Sequence, residues 1–252
     1  MLRGLYTAAT GMATQRSRMD VVTNNIVNAQ TTGFKKDDVM SSSFEKVMLD
    51  ETGDPNVLGT ANEVGPYSFG TYVNQAYTDF SDGSPEQTDR NCDLAISGDG
   101  FFAVQTPQGE RYTRAGNFEV DSQGYLVTSD GYSVLGGDGP IKVGSEDFSV
   151  DSEGNVTAGG SRAGTLRIVS FADTGTLRKQ GDNLYYANGG GTPAAAKGYQ
   201  ILQGYQESSN VDIADEMVDM MTIYRAYEAN QKVLSMTDET LGLAVNNLGS
   251  LR

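Results

Sequence analysis

The sequence predicts an α+β protein: a helix at each end of the chain and an antiparallel, sandwich- or barrel-like β domain inserted between them. Three observations carry that prediction. In the last forty residues, Ile213, Met220, Tyr227, Leu234, Leu241 and Leu248 recur every seventh position. Over residues 2–28, Leu5, Met12, Met19 and Ile26 do the same. Between about residues 72 and 206 the apolar period drops to two, and short runs are broken by turn residues. A seven-residue repeat specifies a helix that lays one seam on a partner, whereas a period of two specifies strands.

The C-terminal repeat is the stronger. Met217, Ile223, Tyr224, Ala244, Val245 and Leu251 widen its row into a stripe, and Asn230, Gln231, Thr237 and Asp238 interrupt the second row. Polar breaks of this kind fix register and partner number at some cost in stability. Asn210 or Asp212 is placed to cap this helix, and Asp212, Asp215, Glu216 and Asp219 sit where the helix dipole favours acids. In the N-terminal helix, Leu2, Ala9 and Val22 flank the seam, while Arg3, Thr10, Arg18 and Asn25 mark the opposite face. Asn24, Asn25, Asn28, Thr31, Thr32 and Gly33 end it. Gly33 suits a left-handed cap or a tight turn, with Phe34 folding back on the helix.

Residues 37–75 are ambiguous. Weak helical periodicity runs over 39–49, and 50–70 holds two Pro and four Gly and reads as loop. Strand-type runs follow at 94–96, 101–104, 112–113, 118–120, 125–127, 132–135, 148–150, 155–157, 166–171 and 184–187, with a last strand or arm at 199–205. Residues 188–196, with Gly189, Gly190 and Gly191, read as a loop. The expected organisation is residues 1–36 for the N-terminal helix and its turn, 37–75 for a linker, 76–206 for the β domain and 207–252 for the C-terminal helix. The two helices are expected to form a coiled-coil stalk, within one chain or between neighbouring chains.

Composition narrows the function. Of 31 Gly, only Gly4, Gly11, Gly33, Gly242 and Gly249 lie outside residues 37–206. The formal charge of −15 argues against nucleic acid or an anionic lipid surface as partner. Residues 1–36 carry five cations and one acid, and residues 207–252 carry three cations and eight acids, so the two ends are electrostatically complementary. No stretch reaches the roughly 20 apolar residues of a membrane span. No signal peptide is read at the N-terminus, because Thr7, Thr10 and Gln15 interrupt the apolar run. A cytoplasmic location is the default unless the chain leaves by a route without a cleaved signal.

Catalytic chemistry finds little footing. The chain has no His, which removes the commonest general base and metal ligand. Cys92, the single cysteine, forms no intrachain disulfide and reads as a small buried apolar residue. Asp121 to Gly124 and Asp151 to Asn155 place oxygens near glycine but lack the calcium-loop pattern, and read as hairpin turns. No catalytic, cofactor-binding or metal residues are assigned and no cofactor is expected. Three classes remain: a structural subunit assembling through its terminal helices, a β-domain surface-binding module on a helical stalk, and an acid-using hydrolase.

Three stretches carry a family resemblance. Asn24-Asn25-Ile26-Val27-Asn28-Ala29 with Thr31-Thr32-Gly33-Phe34-Lys35 resembles the N-terminal signature of the bacterial flagellar rod and hook proteins. Residues 93–104 (DLAISGDGFFAV), with 112–118 and 124–127, resemble the family's central domain. Ser209-Asn210-Val211-Asp212 and Arg225-Ala226-Tyr227-Glu228-Ala229-Asn230 resemble its C-terminal signature. The match spans nearly the whole chain in order. It implies a non-enzymatic axial subunit of the flagellum, exported by the flagellar type III apparatus without a cleaved signal. It further implies terminal helices that are poorly ordered in the monomer and form a coiled-coil tube wall on assembly, with the β domain outside.

Hook subunits of this family are longer, so the resemblance implies a basal-body rod subunit whose partners are itself, other rod subunits and the export apparatus, with no membrane insertion. Residues 79–84 and 166–186 resemble the proximal rod protein more than the distal one. The expected assembly residues are Leu5, Met12, Met19, Asn24, Asn25, Ile26, Asn28 and Gly33 at the N-terminal end, and Met220, Tyr227, Leu234, Leu241 and Leu248 at the C-terminal end.

Overall fold

The computed structural model describes residues 2–51, 62–188 and 191–249, with side chains over 3–48, 65–188 and 191–246. Two compact units emerge. One draws on residues 1–26, 37–77 and 213–252; the other on residues 27–36 and 78–212. The element classes are those of an α+β chain: one long helix near each terminus and antiparallel strands between.

The first unit holds helices α1 (Leu2–Val27) and α2 (Ile213–Gly249). Asp215 and Glu216 occupy the first turn of α2, where unpaired backbone N–H groups welcome negative charge. The helices are antiparallel. Asn25 Nδ2 donates to Glu216 Oε2 at 3.3 Å, and a Cβ built on Gly11 would stand 3.0 Å from Asn230 Nδ2. From Asn25 back to Gly11 and from Glu216 on to Asn230, the two chains travel the same fourteen residues in opposite directions. Gly11 thus leaves room for the Asn230 amide where a larger residue would not.

A β ribbon completes this unit. Strand β1 (Asp37–Ser43) is followed by β2 (Val47–Glu51), β3 (Asn62–Tyr67) and β4 (Thr71–Thr78); β1 pairs with β4 and β2 with β3. The weak helical periodicity over 39–49 misleads here. Val39 is half-buried and Met40 exposed, a strand alternation, and its partner ladder comes from some thirty residues away, which no local pattern reveals. The ribbon is seated on α1: Thr14 Oγ1 lies 3.2 Å from Thr71 Oγ1, and Gly70 approaches Thr10 so closely that a Cβ would meet its hydroxyl at 2.0 Å.

The second unit is organised around the strand Phe101–Thr106, buried along most of its length. Gly109–Thr113 and Ser133–Val134 flank it, and the sheet continues through Leu184–Ala187 to Leu177–Gly181 on one side and through Leu126–Thr128 to Phe118–Val120 on the other. All these pairings are antiparallel. Alternation splits the central strand between two cores. Phe102 and Val104 join Leu94, Ile96, Phe118, Leu126 and Val156; Phe101 and Ala103 join Tyr112, Leu177 and Tyr185. The unit also holds a three-stranded sheet of Phe148–Val150, Asn155–Ala158 and Ser161–Thr165; the strand Ile168–Ser170, which pairs with Ala194–Ala195 in the stretch expected as a loop; and two short pairs, first Leu94–Ser97 with Gln200–Gln203 and second Pro85–Gln87 with Tyr205–Glu207. The second brings the arm that precedes α2 onto this domain. The strands expected from the period of two are found, with ends shifted by one to three residues; Gly189 and Gly190 lie outside the described residues.

Phe102 is fully buried and its ring meets Phe118 edge-on at 5.0 Å. Phe102→Ala is expected to destabilise this domain by about 3–5 kcal/mol, read as a lower urea midpoint for loss of the β-domain signal.

Candidate assembly interface

Along α2 the less exposed positions include Glu216, Met220, Ile223, Tyr227, Asn230, Leu234, Thr237, Leu241 and Ala244, spaced alternately by four and three. The expected residues Met220, Tyr227, Leu234 and Leu241 all lie on this face, half-buried; the side chain of Leu248 lies outside the described residues. On α1, Leu5, Met12, Met19 and Ile26 are likewise half-buried. Met217 and Tyr224, read as widening the same stripe, diverge from it. With Ile213 and Met221 they form a second apolar strip on the first three turns of α2, each between 42% and 58% exposed. Met221 was missed, because it sits one residue off the heptad row.

The asparagines part company. Asn25 is buried and makes a strand-like pair with Asp37, donating from Nδ2 to its carbonyl at 2.8 Å and accepting its N–H at Oδ1 at 3.0 Å. The same amide reaches Glu216, so one side chain joins α1, β1 and α2. Asn24 is exposed. Asn28 holds the turn after α1, its carbonyl accepting Thr31 N–H at 3.0 Å and its Oδ1 the Thr31 hydroxyl at 3.3 Å.

That turn already belongs to the second unit. Gly33 adopts φ +66°, and a Cβ there would lie 2.4 Å from Ala115 N, so both backbone conformation and space demand glycine. Its N–H donates to Glu207 O at 2.7 Å. Phe34, expected to fold back on its helix, is buried with Lys179 Nζ 4.1 Å from its ring centroid.

Lys35 has no solvent exposure. Its ammonium donates to Glu207 Oε1 and to Ser81 O at 2.7 Å. Glu207 also accepts Gly83 N–H at 3.0 Å and, through Oε2, Arg114 Nη1 at 3.4 Å. The buried Arg114 guanidinium donates to Ile96 O and Gly98 O, pairs with Asp82 at 3.0 Å, and lies 5.5 Å above the Phe101 ring centroid. Burial pushes the Lys35 ammonium below its ordinary pKa; Glu207 opposes that shift by charge and hydrogen bond.

Asn210, expected to cap α2, does other work. Its Oδ1 accepts Lys36 N–H at 2.8 Å, and its amide donates to Asp79 O and Ser81 Oγ. Asp212, directly before the helix, is left at the cap position. The burial of Lys35, Arg114 and Glu207 escaped sequence reasoning, because an isolated charge in a polar stretch reads as solvated until its distant partner is known; Glu216, read as a helix-start acid, is also buried against Asn25.

The residues weighed for other chemistry are structural. Cys92 packs in the larger core, and burial raises its thiol pKa, away from a reactive thiolate. Asp151 accepts from Glu153 N, Asn155 N and Asn155 Nδ2 in its own hairpin turn, and the Asn155 contacts hold its carboxyl below the usual range. Gly33→Ala is expected to destabilise the second unit by at least about 2 kcal/mol through left-handed strain and backbone collision, measured by chemical denaturation.

Comparison with known proteins agrees with this layout. Residues 5–35 match the family described as flagella basal body rod protein, residues 95–158 the flagellar hook protein FlgE/F/G D1 domain, and residues 202–248 the flagellar basal body rod FlgEFG protein C-terminal region. The flagellar basal-body rod protein FlgG of Bacillus subtilis is 36% identical over 264 residues, covering 98% of this chain and 99% of its own. FlgF of Caulobacter vibrioides, also named a flagellar basal-body rod protein, is 36% identical over 254 residues and all of both chains. The flagellar hook-basal body complex protein FlhO of Bacillus subtilis is 33% identical over 271 residues, again covering both chains fully. Among the described residues no helix is long and apolar enough to cross a membrane. The chain belongs to the flagellar basal-body rod family, as a structural component of the basal body and not an enzyme.

Proposed function

We propose that the chain builds into the rod through its terminal helices, packing against copies of itself and against other rod subunits. One observation carries this reading. The antiparallel pair of α1 and α2 leaves apolar side chains uncovered outside its own seam: Met217, Met221 and Tyr224 on α2 are each more than half exposed. Contiguous exposed apolar surface marks a face awaiting a partner. On the ribbon of the same unit, Met40, Phe44, Met48 and Tyr72 are exposed as well. In the rod the helices form a coiled coil with the seam Leu5, Met12, Met19 and Ile26 against Met220, Tyr227, Leu234, Leu241 and Leu248. Asn24, Asn25, Asn28 and Gly33 shape the exit from α1 and the contacts beside it.

Export proceeds through the flagellar type III apparatus, and neither nucleic acid nor bilayer is a partner, consistent with the −15 charge. Within the rod we assign the chain to the proximal segment, on the resemblance of residues 79–84 and 166–186 to the proximal kind; the distal segment is the alternative. Leu234→Asp tests the helix-borne assembly. A charge on the half-buried seam costs about 2–4 kcal/mol of helix packing and leaves the β domain folded. Cells carrying it should yield basal bodies that lack the chain, while the purified variant keeps its β-sheet circular dichroism. Normal incorporation into rods would refute the reading.

A further inference from the structure

We propose that the Lys35–Glu207–Arg114 cluster is a completion latch: it lets the N-terminal signature turn and the C-terminal arm dock on the β domain only together. The turn, residues 32–36, takes much of its anchoring from that arm. Gly33 N–H donates to Glu207 O, the Thr32 hydroxyl to Gln206 Oε1 at 2.7 Å, Lys36 N–H to Asn210 Oδ1, and the Lys35 ammonium to Glu207 Oε1. The remaining anchors are neutral acceptors or hairpin side chains: Ser81 O for Lys35, Asn183 Nδ2 on Thr32 O, and Lys179 Nζ on Lys35 O.

Charge makes the dependence strict. Lys35 is wholly buried with Arg114 near enough to oppose its charge, and Glu207 is the carboxylate that hydrogen-bonds both. Without Glu207, docking the turn would bury two cations beside each other. A buried cation stripped of its counter-ion is far less favourable than the same cation in water. Asp82 cannot substitute, since its carboxylate is half-exposed and engaged by Arg114.

Lys35 and Glu207 lie 172 residues apart. Synthesis delivers the N-terminal end first, so at roughly 5–20 residues per second the turn waits about 10–30 s for its counter-ion. Over that interval residues 33–36 stay undocked. Once residue 207 arrives, the turn and the arm order together. Coupling of this kind is reciprocal, so the arm depends equally on the turn.

Native-state hydrogen exchange on the full chain tests this. In the unmodified protein the amides of Gly33, Lys36 and Ser208 should share one opening equilibrium. In Glu207→Gln all three should exchange faster by the same factor, roughly 100-fold or more, while amides of the central strand 101–106 keep their protection. Lys35→Met should loosen Ser208 as well. Faster exchange at Ser208 with Gly33 and Lys36 unchanged would overturn the latch. Should Glu207→Gln fail to fold, the unmodified chain in low denaturant decides: separate opening equilibria for Gly33 and Ser208 exclude the latch, and a common one supports it.

Discussion

A lysine ammonium with no access to water must be met by a carboxylate, and in this chain that demand falls on one pair, Lys35 and Glu207. Further hydrogen bonds surround the pair: Gly83 N–H and Arg114 donate to the carboxylate, and Ser81 O accepts from the ammonium. Because the cluster draws on residues 35, 81–83, 114 and 207, it gathers four separate stretches of the second unit at one point. Gly33, left-handed and pressed on Ala115, gives the turn the geometry to bring Lys35 there. Asn210 continues the stitching by joining Lys36 to Asp79 and Ser81. Replacing such a buried pair by apolar residues is often neutral for stability, whereas removing one partner alone is costly.

The first unit is held by a different balance. Its helix pair has few large buried side chains, Ile223 among them, and polar residues on the facing surfaces: Glu216 against Asn25 and Asn230 against Gly11. Polar positions of this kind select register and orientation at some cost in stability. Apolar side chains left outside the pair favour a state in which further surface is covered. The β domain, with two apolar cores on either side of strand Phe101–Thr106, carries no such deficit. A stable domain and a pair of helices that gain from neighbours suit a subunit of a rod.

Sequence pattern disclosed the features that rest on local periodicity. Met220, Tyr227, Leu234 and Leu241 share the less exposed face of α2, and the β-domain strands lie where the period of two put them. Local pattern failed where a residue's role depends on a distant partner. The ribbon over 37–78 pairs β1 with β4, so its ladder is invisible in any short window. Asn210 looked like a cap because caps are local; its amide instead bridges two other strands of chain. Lys35, Arg114 and Glu207 were unreadable for the same reason, since burial of a charge becomes intelligible only when its counter-ion is known. Gly33 was legible as a left-handed turn glycine, though the turn it makes lies six residues beyond the end of α1 and not at a helix cap.

The central claim is that this chain is a built-in part of the rod. Its most direct test is to purify flagellar basal bodies from cells that make it and count it by quantitative mass spectrometry alongside the rod and hook subunits. The account predicts a few copies in each particle, well below the hook subunit. Its absence from basal bodies, in cells where the chain is otherwise abundant, would contradict it.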